Sequence, residues 1–464
     1  MYFAQHYLDC LSQASYLVGD EASGQAVVVD PRRDVAEYVE DAAAHGLRIV
    51  GVINTHFHAD FLAGHLEMAE ATGAWIGYGD RAETDYDIRS FADGERVELG
   101  GPDGVTLEIM HTPGHTPESI SVLVYEHGTD ETPYGALTGD ALFIGDVGRP
   151  DLLASFGVTA RELGGMLYDS VQHKLMGLPD EVRVFPAHGA GSACGKNLST
   201  ETQSTIGEQR RFNYACQPMD EQTFVDIVTA GQPSAPEYFG YDATLNRRQH
   251  ATYDESAAAE LTFAQATEAT AGGAVLLDTR EQSEFAAGHL RGSVSVPLDG
   301  RFAETAGMLL KPHDEIVVVA PEGHEAEAVT RLARIGFDGV VGHLADIEEV
   351  LTQAEGVCVG HASRLTPAQL DEVLADEARD VVLVDVRNAG EVEAGGVEGA
   401  LNIPLAELRR RVDEVPRDKA VVVYCAGGWR SSVAASYLRS EGFTDVSDIL
   451  GGFNAVDAMR AAEA

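Results

Sequence analysis

The sequence predicts an α/β protein of two to three domains, and three observations carry that expectation. Its 464 residues exceed what one hydrophobic core organises. The chain opens β-α-β: Ala26-Val27-Val28-Val29-Asp30 reads as a buried strand, Asp34 to His45 as an amphipathic helix with Val35, Val39 and Ala43 on one face, and Arg48 to Asn54 as the next strand. The second half repeats itself. Asp278, Arg280, Glu284, Gly288, Gly292 and Pro297-Leu298 recur as Asp385, Arg387, Glu391, Gly395, Gly399 and Pro404-Leu405 at one offset (385 − 278 = 107), the mark of two copies of one domain.

Beyond the opening, Val105 to Met110 and Ser119 to Tyr125 read as strands, Ala136 leads into Asp140, and Thr159 to Met176 has helical period. From about Asn197 to Glu260 the chain is polar, with Arg210-Arg211, Pro218, Pro233 and Pro236 and little periodicity, and is expected to be a linker. The domains are accordingly placed at 1–245 with that linker at its end, 260–356 and 362–464.

Hydrophobic residues make up 44% of the chain, enough for real cores. Against 32 Lys and Arg stand 75 Asp and Glu, a formal charge of -43, so nucleic acid and anionic membrane surfaces are excluded as partners. Lysine is confined to Lys174, Lys196, Lys311 and Lys419, a balance suited to a high-salt cytoplasm in which screening removes self-repulsion. The five cysteines are odd in number and widely spaced, which argues against a disulfide framework and for a reducing compartment. The N-terminus has no basic stretch ahead of an apolar core, and no run of about 18 apolar residues occurs. A cytoplasmic protein that does not span a membrane is expected, as a homo-oligomer.

The densest chemical signal is Thr55-His56-Phe57-His58-Ala59-Asp60-Phe61-Leu62-Ala63-Gly64-His65, directly after the apolar run Ile49-Val50-Gly51-Val52-Ile53. Three histidines and an aspartate within eleven residues of a strand end form a metal cradle, because neutral imidazole and carboxylate are what divalent first-row metals take. Downstream, Thr112-Pro113-Gly114-His115-Thr116-Pro117, Thr138-Gly139-Asp140 and Pro186-Ala187-His188-Gly189 each place one His or Asp at a strand-to-loop junction. In this order the motifs resemble the metallo-β-lactamase superfamily over roughly the first half of the chain, which implies an αββα sandwich.

For that superfamily the resemblance implies His56, His58 and His115 facing one metal, Asp60 and His188 a second, and Asp140 bridging them. Phe61 departs from the pattern, since dinuclear members carry a histidine directly after the aspartate and a phenyl ring cannot ligate. Either Phe61 fills space beside an intact dinuclear site, or the second site is lost. A mononuclear site resembles the persulfide dioxygenase branch, which implies one Fe(II) per chain on His56, His115 and Asp140, a facial triad that leaves positions for O2 and a substrate sulfur. His58, Asp60 and His188 then orient the ligands and hold water or substrate. The segment Gly145-Asp146-Val147-Gly148-Arg149-Pro150-Asp151-Leu152 also resembles that branch. Arg149 either binds a substrate carboxylate bidentately or pairs with Asp146 or Asp151. Cys194, six residues past His188 and close to Lys196, either carries a persulfide beside the metal or packs as a small apolar residue.

The repeated Asp-x-Arg-x3-Glu motif, followed by an apolar strand and a helix, resembles the rhodanese family, a small doubly wound parallel-sheet domain. In the last copy Cys425-Ala426-Gly427-Gly428-Trp429-Arg430-Ser431 follows the strand Val421-Val422-Val423-Tyr424 and precedes a helical run to Leu438. Backbone N–H groups and the helix dipole there favour a thiolate, so Cys425 is expected to be the sulfur-carrying nucleophile with Arg430 beside it. The four residues between them, one fewer than in Cys-dependent phosphatases, suit sulfur better than phosphate ester. In the first copy the register puts Ala320 at the Cys position and Glu325 at the Arg position (325 − 320 = 5, as 430 − 425 = 5), so that copy is expected to be structural or to serve docking. Cys10, Cys216 and Cys358 carry no comparable signal.

Together these features resemble the fused persulfide dioxygenase–rhodanese enzymes of sulfide detoxification with an inactive middle rhodanese. The implied chemistry is R-S-SH + O2 + H2O giving R-SH and sulfite at iron, with Cys425 passing sulfane sulfur to sulfite to form thiosulfate. The thiol R stays open among glutathione, coenzyme A, cysteine and other small thiols. The rival is a dinuclear zinc thioesterase of glyoxalase II type fused to a sulfurtransferase, and a non-catalytic sulfur carrier is the third reading.

Overall fold

Strands that are apolar on both faces need cover on both sides, and the first half of the chain supplies it with two facing sheets and helices outside them. The computed structural model describes residues 1–152, 157–254, 258–354, 358–376 and 378–463. It divides into two units, Met1–Gln232 with Tyr238–Tyr253 and Arg334–Gly336, and Pro233–Glu237 with Asp254–Ala333 and Phe337–Ala464. Among the described residues no helix is long and apolar enough to cross a membrane.

In the first unit β1 (Tyr2–Leu8), β2 (Gln13–Asp20), β3 (Gln25–Val29), β4 (Arg48–Ile53), β5 (Trp75–Gly79) and β6 (Arg89–Phe91) lie in chain order in one sheet. The second sheet holds β7 (Arg96–Glu98), β8 (Thr106–His111), β9 (Ile120–Tyr125), β10 (Gly135–Gly139), β11 (Arg183–Pro186) and β12 (Ser204–Thr205), again in chain order. Between the sheets Tyr16, Val18, Val27 and Val29 meet Leu107, Ile109, Val122, Val124 and Leu137. Outside the first sheet, α1 (Ala36–Ala44) and α2 (His65–Thr72) bring Tyr38, Ala42 and Met68 onto Leu17, Val28 and Val52. Outside the second, α3 (Ala160–Asp169), α4 (Ile206–Phe212) and α5 (Glu221–Thr229) cover Leu123, Ala136 and Val184 with Leu167, Ile206, Phe224 and Val228. The result is the expected αββα sandwich. The β3-α1-β4 opening forms with β3 and β4 parallel, so the histidine loop leaves the C-terminal end of β4.

Two expectations need correction. The inward face of α1 is Tyr38 and Ala42 with Val35 and Val39 half-buried, while Ala43 is exposed. Tyr38 accepts that burial because its hydroxyl meets Ser15 Oγ at 2.8 Å and takes the Arg32 N–H at 3.2 Å. The second correction concerns the stretch read as a linker, much of which is folded. Short helices hid its periodicity, but their caps are written in the sequence: Thr205 Oγ1 accepts from Glu208 N at 3.2 Å and Asp220 Oδ1 from Thr223 N at 2.9 Å. A further helix, α6 (Tyr238–Leu245), belongs to the first unit, which continues to Tyr253, past the expected domain end at 245. Directly after it the buried Asn246 donates from Nδ2 to His58 O at 2.8 Å and Phe61 O at 2.9 Å, and accepts from Ala63 N at 2.9 Å. Tyr238 adds a bond from its hydroxyl to Asp60 O at 3.2 Å. The supposed linker thus clamps the backbone of the histidine loop. The expected boundaries at 356 and 464 fall outside the described residues.

In the second unit the two copies have the same sheet. One orders Glu260–Leu261, Val340–Leu344, Ile316–Val319, Val275–Asp278 and Val294–Ser295; the other orders Ser363–Leu365, Val446–Ile449, Ala420–Tyr424, Val381–Asp385 and Leu401–Asn402. Every neighbouring pair in both is parallel. The Asp-x-Arg motif does one mechanical job twice. Arg280 forks onto Asp278 (Nε 3.0 Å, Nη2 2.6 Å) and reaches Gly288 O at 3.0 Å, and Arg387 forks onto Asp385 (Nε 3.0 Å, Nη2 2.6 Å) and reaches Gly395 O at 2.8 Å.

Two outcomes follow for the first unit. Asn246→Ala leaves three buried backbone groups without partners and should cost roughly 2–4 kcal/mol of unfolding free energy, at about 1 kcal/mol or more per bond, in chemical denaturation. His65 on α2 is fully buried, and burial pushes its imidazole down to about 3. The unfolded chain therefore binds a proton below about pH 6.5 that the folded one refuses, so His65 withdraws stability as pH falls, by up to about 1.4 kcal/mol per unit. The unfolding free energy of the unsubstituted chain minus that of His65→Asn should shrink at that slope between about pH 6 and 4; a constant difference contradicts it.

Candidate metal centre and sulfur-transfer loop

The histidine loop is held against the end of β3 so closely that a Cβ on Gly64 would stand 1.9 Å from Arg32 O, which only glycine permits. At that end sits Asp30, buried and in the left-handed region at φ 51°, a strained conformation for a residue with a side chain. Its carboxylate accepts from Thr55 N at 2.7 Å, Thr55 Oγ1 at 2.8 Å and His58 Nε2 at 3.0 Å. These bonds assign the protons. Thr55 gives its only hydroxyl hydrogen to Asp30, so its oxygen accepts from His56 Nδ1 at 2.9 Å, and the lone pair of His56 is left on Nε2. His115 Nδ1 donates to Arg149 O at 2.9 Å, which leaves its Nε2 free in the same way, whereas His58, donating from Nε2, presents Nδ1.

The freed atoms converge. His56, His115 and Asp140 offer ligand atoms within 4.8 Å of one another, with Nε2 of His56 and His115 at 3.8 and 3.4 Å from Asp140 Oδ2. His58, Asp60 and His188 form an adjacent group by the same measure, and His188 Nε2 lies 3.4 Å from Asp60 Oδ2 and 3.6 Å from Asp140 Oδ1. All six side chains are buried. His56 Nε2, His58 Nδ1, Asp60 Oδ1, both Asp140 oxygens and both His188 nitrogens have no hydrogen-bond partner, the condition of a donor set built for a cation. Burial, with His58, His115 and His188 around it, holds His56 well below the ordinary imidazole range. Burial alone would lower His58 as well, but the Asp30 carboxylate outweighs it and raises that imidazole. Phe61 is fully buried with its ring 4.3 Å from that of His58, so an apolar face closes the second group where a further donor is absent.

Gly148 explains part of the Gly145 to Leu152 signal. Its N–H reaches Asp140 O at 3.0 Å, and a Cβ there would stand 2.0 Å from that oxygen and 3.0 Å from His115 Nδ1. Arg149 is not an open anchor for a substrate carboxylate. Asp151 takes its fork at 2.7 Å to both Nε and Nη2, and its side chain is buried, because a guanidinium that leaves water needs a nearby carboxylate. Cys194 is brought to the centre, grouped with Asp140 and His188 and fully enclosed; burial, with Asp60 and Asp140 close by, pushes its thiol well above the usual range. Asp30 and Asn246 were missed from sequence. Asp30 had one visible cue, an acid closing the apolar run of β3.

In the last copy Cys425 follows the strand Ala420–Tyr424 and precedes the helix Trp429–Ser440. The buried Sγ accepts from Gly428 N at 3.2 Å and stands 3.6 Å from Ser431 Oγ. Arg430 lies beside it but directs both terminal nitrogens to Glu391, at 2.7 Å each. In the first copy Ala320 and Glu325 line a cleft of about 860 Å³ with Glu284, Glu322, Glu348 and Glu349, so that loop offers carboxylates and no nucleophile.

Comparison with known proteins agrees with this division. A model of the metallo-beta-lactamase superfamily matches residues 8–188, and a rhodanese-like domain model matches 262–346 and 366–459. The mitochondrial persulfide dioxygenase ETHE1 of Bos taurus is 30% identical over 238 residues, covering 50% of this chain and 83% of that protein. A hydroxyacylglutathione hydrolase of Synechococcus is 29% identical over 237 residues, covering 50% and 81%. Among solved structures, a metallo-beta-lactamase from Staphylococcus aureus subsp. aureus COL superposes with a TM-score of 0.67 at 30% identity, over 74% of this chain and 99% of that one. The chain therefore belongs to the persulfide dioxygenase family within the metallo-β-lactamase superfamily and carries two rhodanese-like domains in its second half.

Proposed function

We propose that the protein oxidises a low-molecular-weight thiol persulfide with O2 to sulfite at one iron ion held by His56, His115 and Asp140, and passes sulfane sulfur through Cys425. The observation that carries this reading is a complete group of two imidazoles and a carboxylate, all buried, in which His56 Nε2 and both Asp140 oxygens have no hydrogen-bond partner, beside a second group against which Phe61 sets an apolar ring in place of a further donor. A bound Fe(II) supplies the O2 activation and sulfur oxidation. The overall reaction is R-S-SH + O2 + H2O giving R-SH, SO3²⁻ and two protons. The chain's part is orientation. Asp30 through Thr55, and the Arg149 carbonyl, fix the two rings with Nε2 turned inward, and the enclosed Cys194 supplies a sulfur beside Asp140 and His188 for contact with a persulfide.

At the second site the Cys425 thiolate, with the Gly428 N–H on its sulfur, attacks the outer sulfur of R-S-SH. The new S–S bond forms as the old one breaks, R-S⁻ leaves, and sulfite then takes the sulfane sulfur to give thiosulfate. Joining both sites in one chain raises the effective concentration of the sulfur passed on. The reading includes a cytoplasmic oligomer acting on small sulfur compounds and O2. One observation favours the rival dinuclear zinc thioesterase: His58, Asp60 and His188 stand at ligand spacing from one another.

Asp140→Ala leaves two imidazoles and should abolish both bound iron and persulfide-dependent O2 uptake, while circular dichroism stays unchanged. Phe61→His should admit a second divalent metal and lower dioxygenase turnover; unchanged metal content with unchanged turnover argues against the reading of Phe61. Cys425→Ser should stop sulfur transfer while O2 consumption continues, and persistent transfer in that variant places the nucleophile elsewhere.

A further inference from the structure

We propose that Glu391 sets the donor specificity of the Cys425 loop by holding Arg430, so that the loop draws sulfane sulfur from a thiol persulfide and not from a sulfur oxyanion. The inference rests on the reading of Cys425 as the sulfur carrier. Arg430 is the one cation of the loop Cys425–Ser431, and a free guanidinium beside the thiol would match the oxygens of thiosulfate with two parallel N–H bonds. Glu391 uses that geometry first, with Oε2 on Nη1 and Oε1 on Nη2 at 2.7 Å. The carboxylate is placed independently of the arginine, since Oε2 also accepts from Asn388 N at 3.1 Å. Burial opposes ionisation of Glu391, and Arg430 more than offsets it, so the carboxyl lies below its usual range and the pair is charged.

Both side chains keep contact with solvent, 29% exposed for Arg430 and 36% for Glu391, so a donor approaching Cys425 meets a neutralised pair. A dianion must displace Glu391 or do without the clamp. A thiol persulfide, with at most one charge on the outer sulfur, requires no clamp. In the first copy the same two positions are both acidic: Glu284 (284 + 107 = 391) and Glu325, at the arginine position, line one cleft. Either donor reacts without an added oxidant or reductant. The thiolate attacks the sulfane sulfur, the Cys–S–S bond forms, and R-S⁻ or SO3²⁻ leaves with the electron pair of the broken S–S bond.

The test uses the full chain with thiosulfate or glutathione persulfide as donor, cyanide as acceptor, and thiocyanate as the signal. For the unsubstituted protein KM for thiosulfate should exceed KM for the persulfide by roughly 5-fold or more, the scale of one exposed charge contact. Glu391→Gln should lower KM for thiosulfate by about the same factor, with kcat and the persulfide KM changed less than about 2-fold. Adding Arg430→Gln to that variant should raise the thiosulfate KM again. Equal KM values in the unsubstituted protein, a thiosulfate KM that stays or rises in Glu391→Gln, or parallel shifts for both donors overturn the proposal. Cys425→Ser separates it from its premise: loss of transfer from both donors upholds the carrier, and transfer that persists removes the carrier whatever Glu391 does.

Discussion

Polar atoms buried without partners cost about 1–3 kcal/mol each, and the first unit gathers such atoms from His56, His58, Asp60, Asp140 and His188 in one place. No fold keeps such a group for its own stability; a cation repays it. The surroundings are arranged to hold the group open. Asp30 accepts a left-handed backbone at φ 51° to serve Thr55 and His58 together, and Gly148 gives up a side chain so that the chain can close over Asp140. Asn246 fastens the loop from the far end of the unit. These residues spend local freedom so that two Nε2 lone pairs and a carboxylate meet.

How much of this was legible depends on the distance between cause and effect along the chain. That His56, His115 and Asp140 come together could be read from the family resemblance and because ligand chemistry allows few residue types and places them where strands end. The two copies of the second unit could be read because a constant offset survives any uncertainty about elements. Asn246 could not, since it acts on a loop 188 residues away and lies in a stretch with no long apolar period. For Arg149 the sequence offered two partners, and the bidentate pair with Asp151 decides between them. The six-residue centre is also more evenly built than the sequence suggested, because His58, Asp60 and His188 converge on one another as well as on their neighbours.

The second unit shows the same economy in another form. Its Asp-x-Arg pairs are structural ties in both copies, while the positions above them differ in charge. One copy pairs Glu391 with Arg430 beside a thiol, and the other sets Glu284 and Glu325 in one cleft above an alanine. The sheet is the same, and the two copies differ in the side chains they set above it.

The central claim is that the buried cluster holds one oxygen-activating metal. Purification without chelators, with exclusion of air, followed by metal analysis and oxygen uptake with a thiol persulfide, tests it most directly. The account predicts iron at about one per chain and O2 consumption that produces sulfite. Two zinc ions per chain, with thioester hydrolysis and no oxygen uptake, would contradict it.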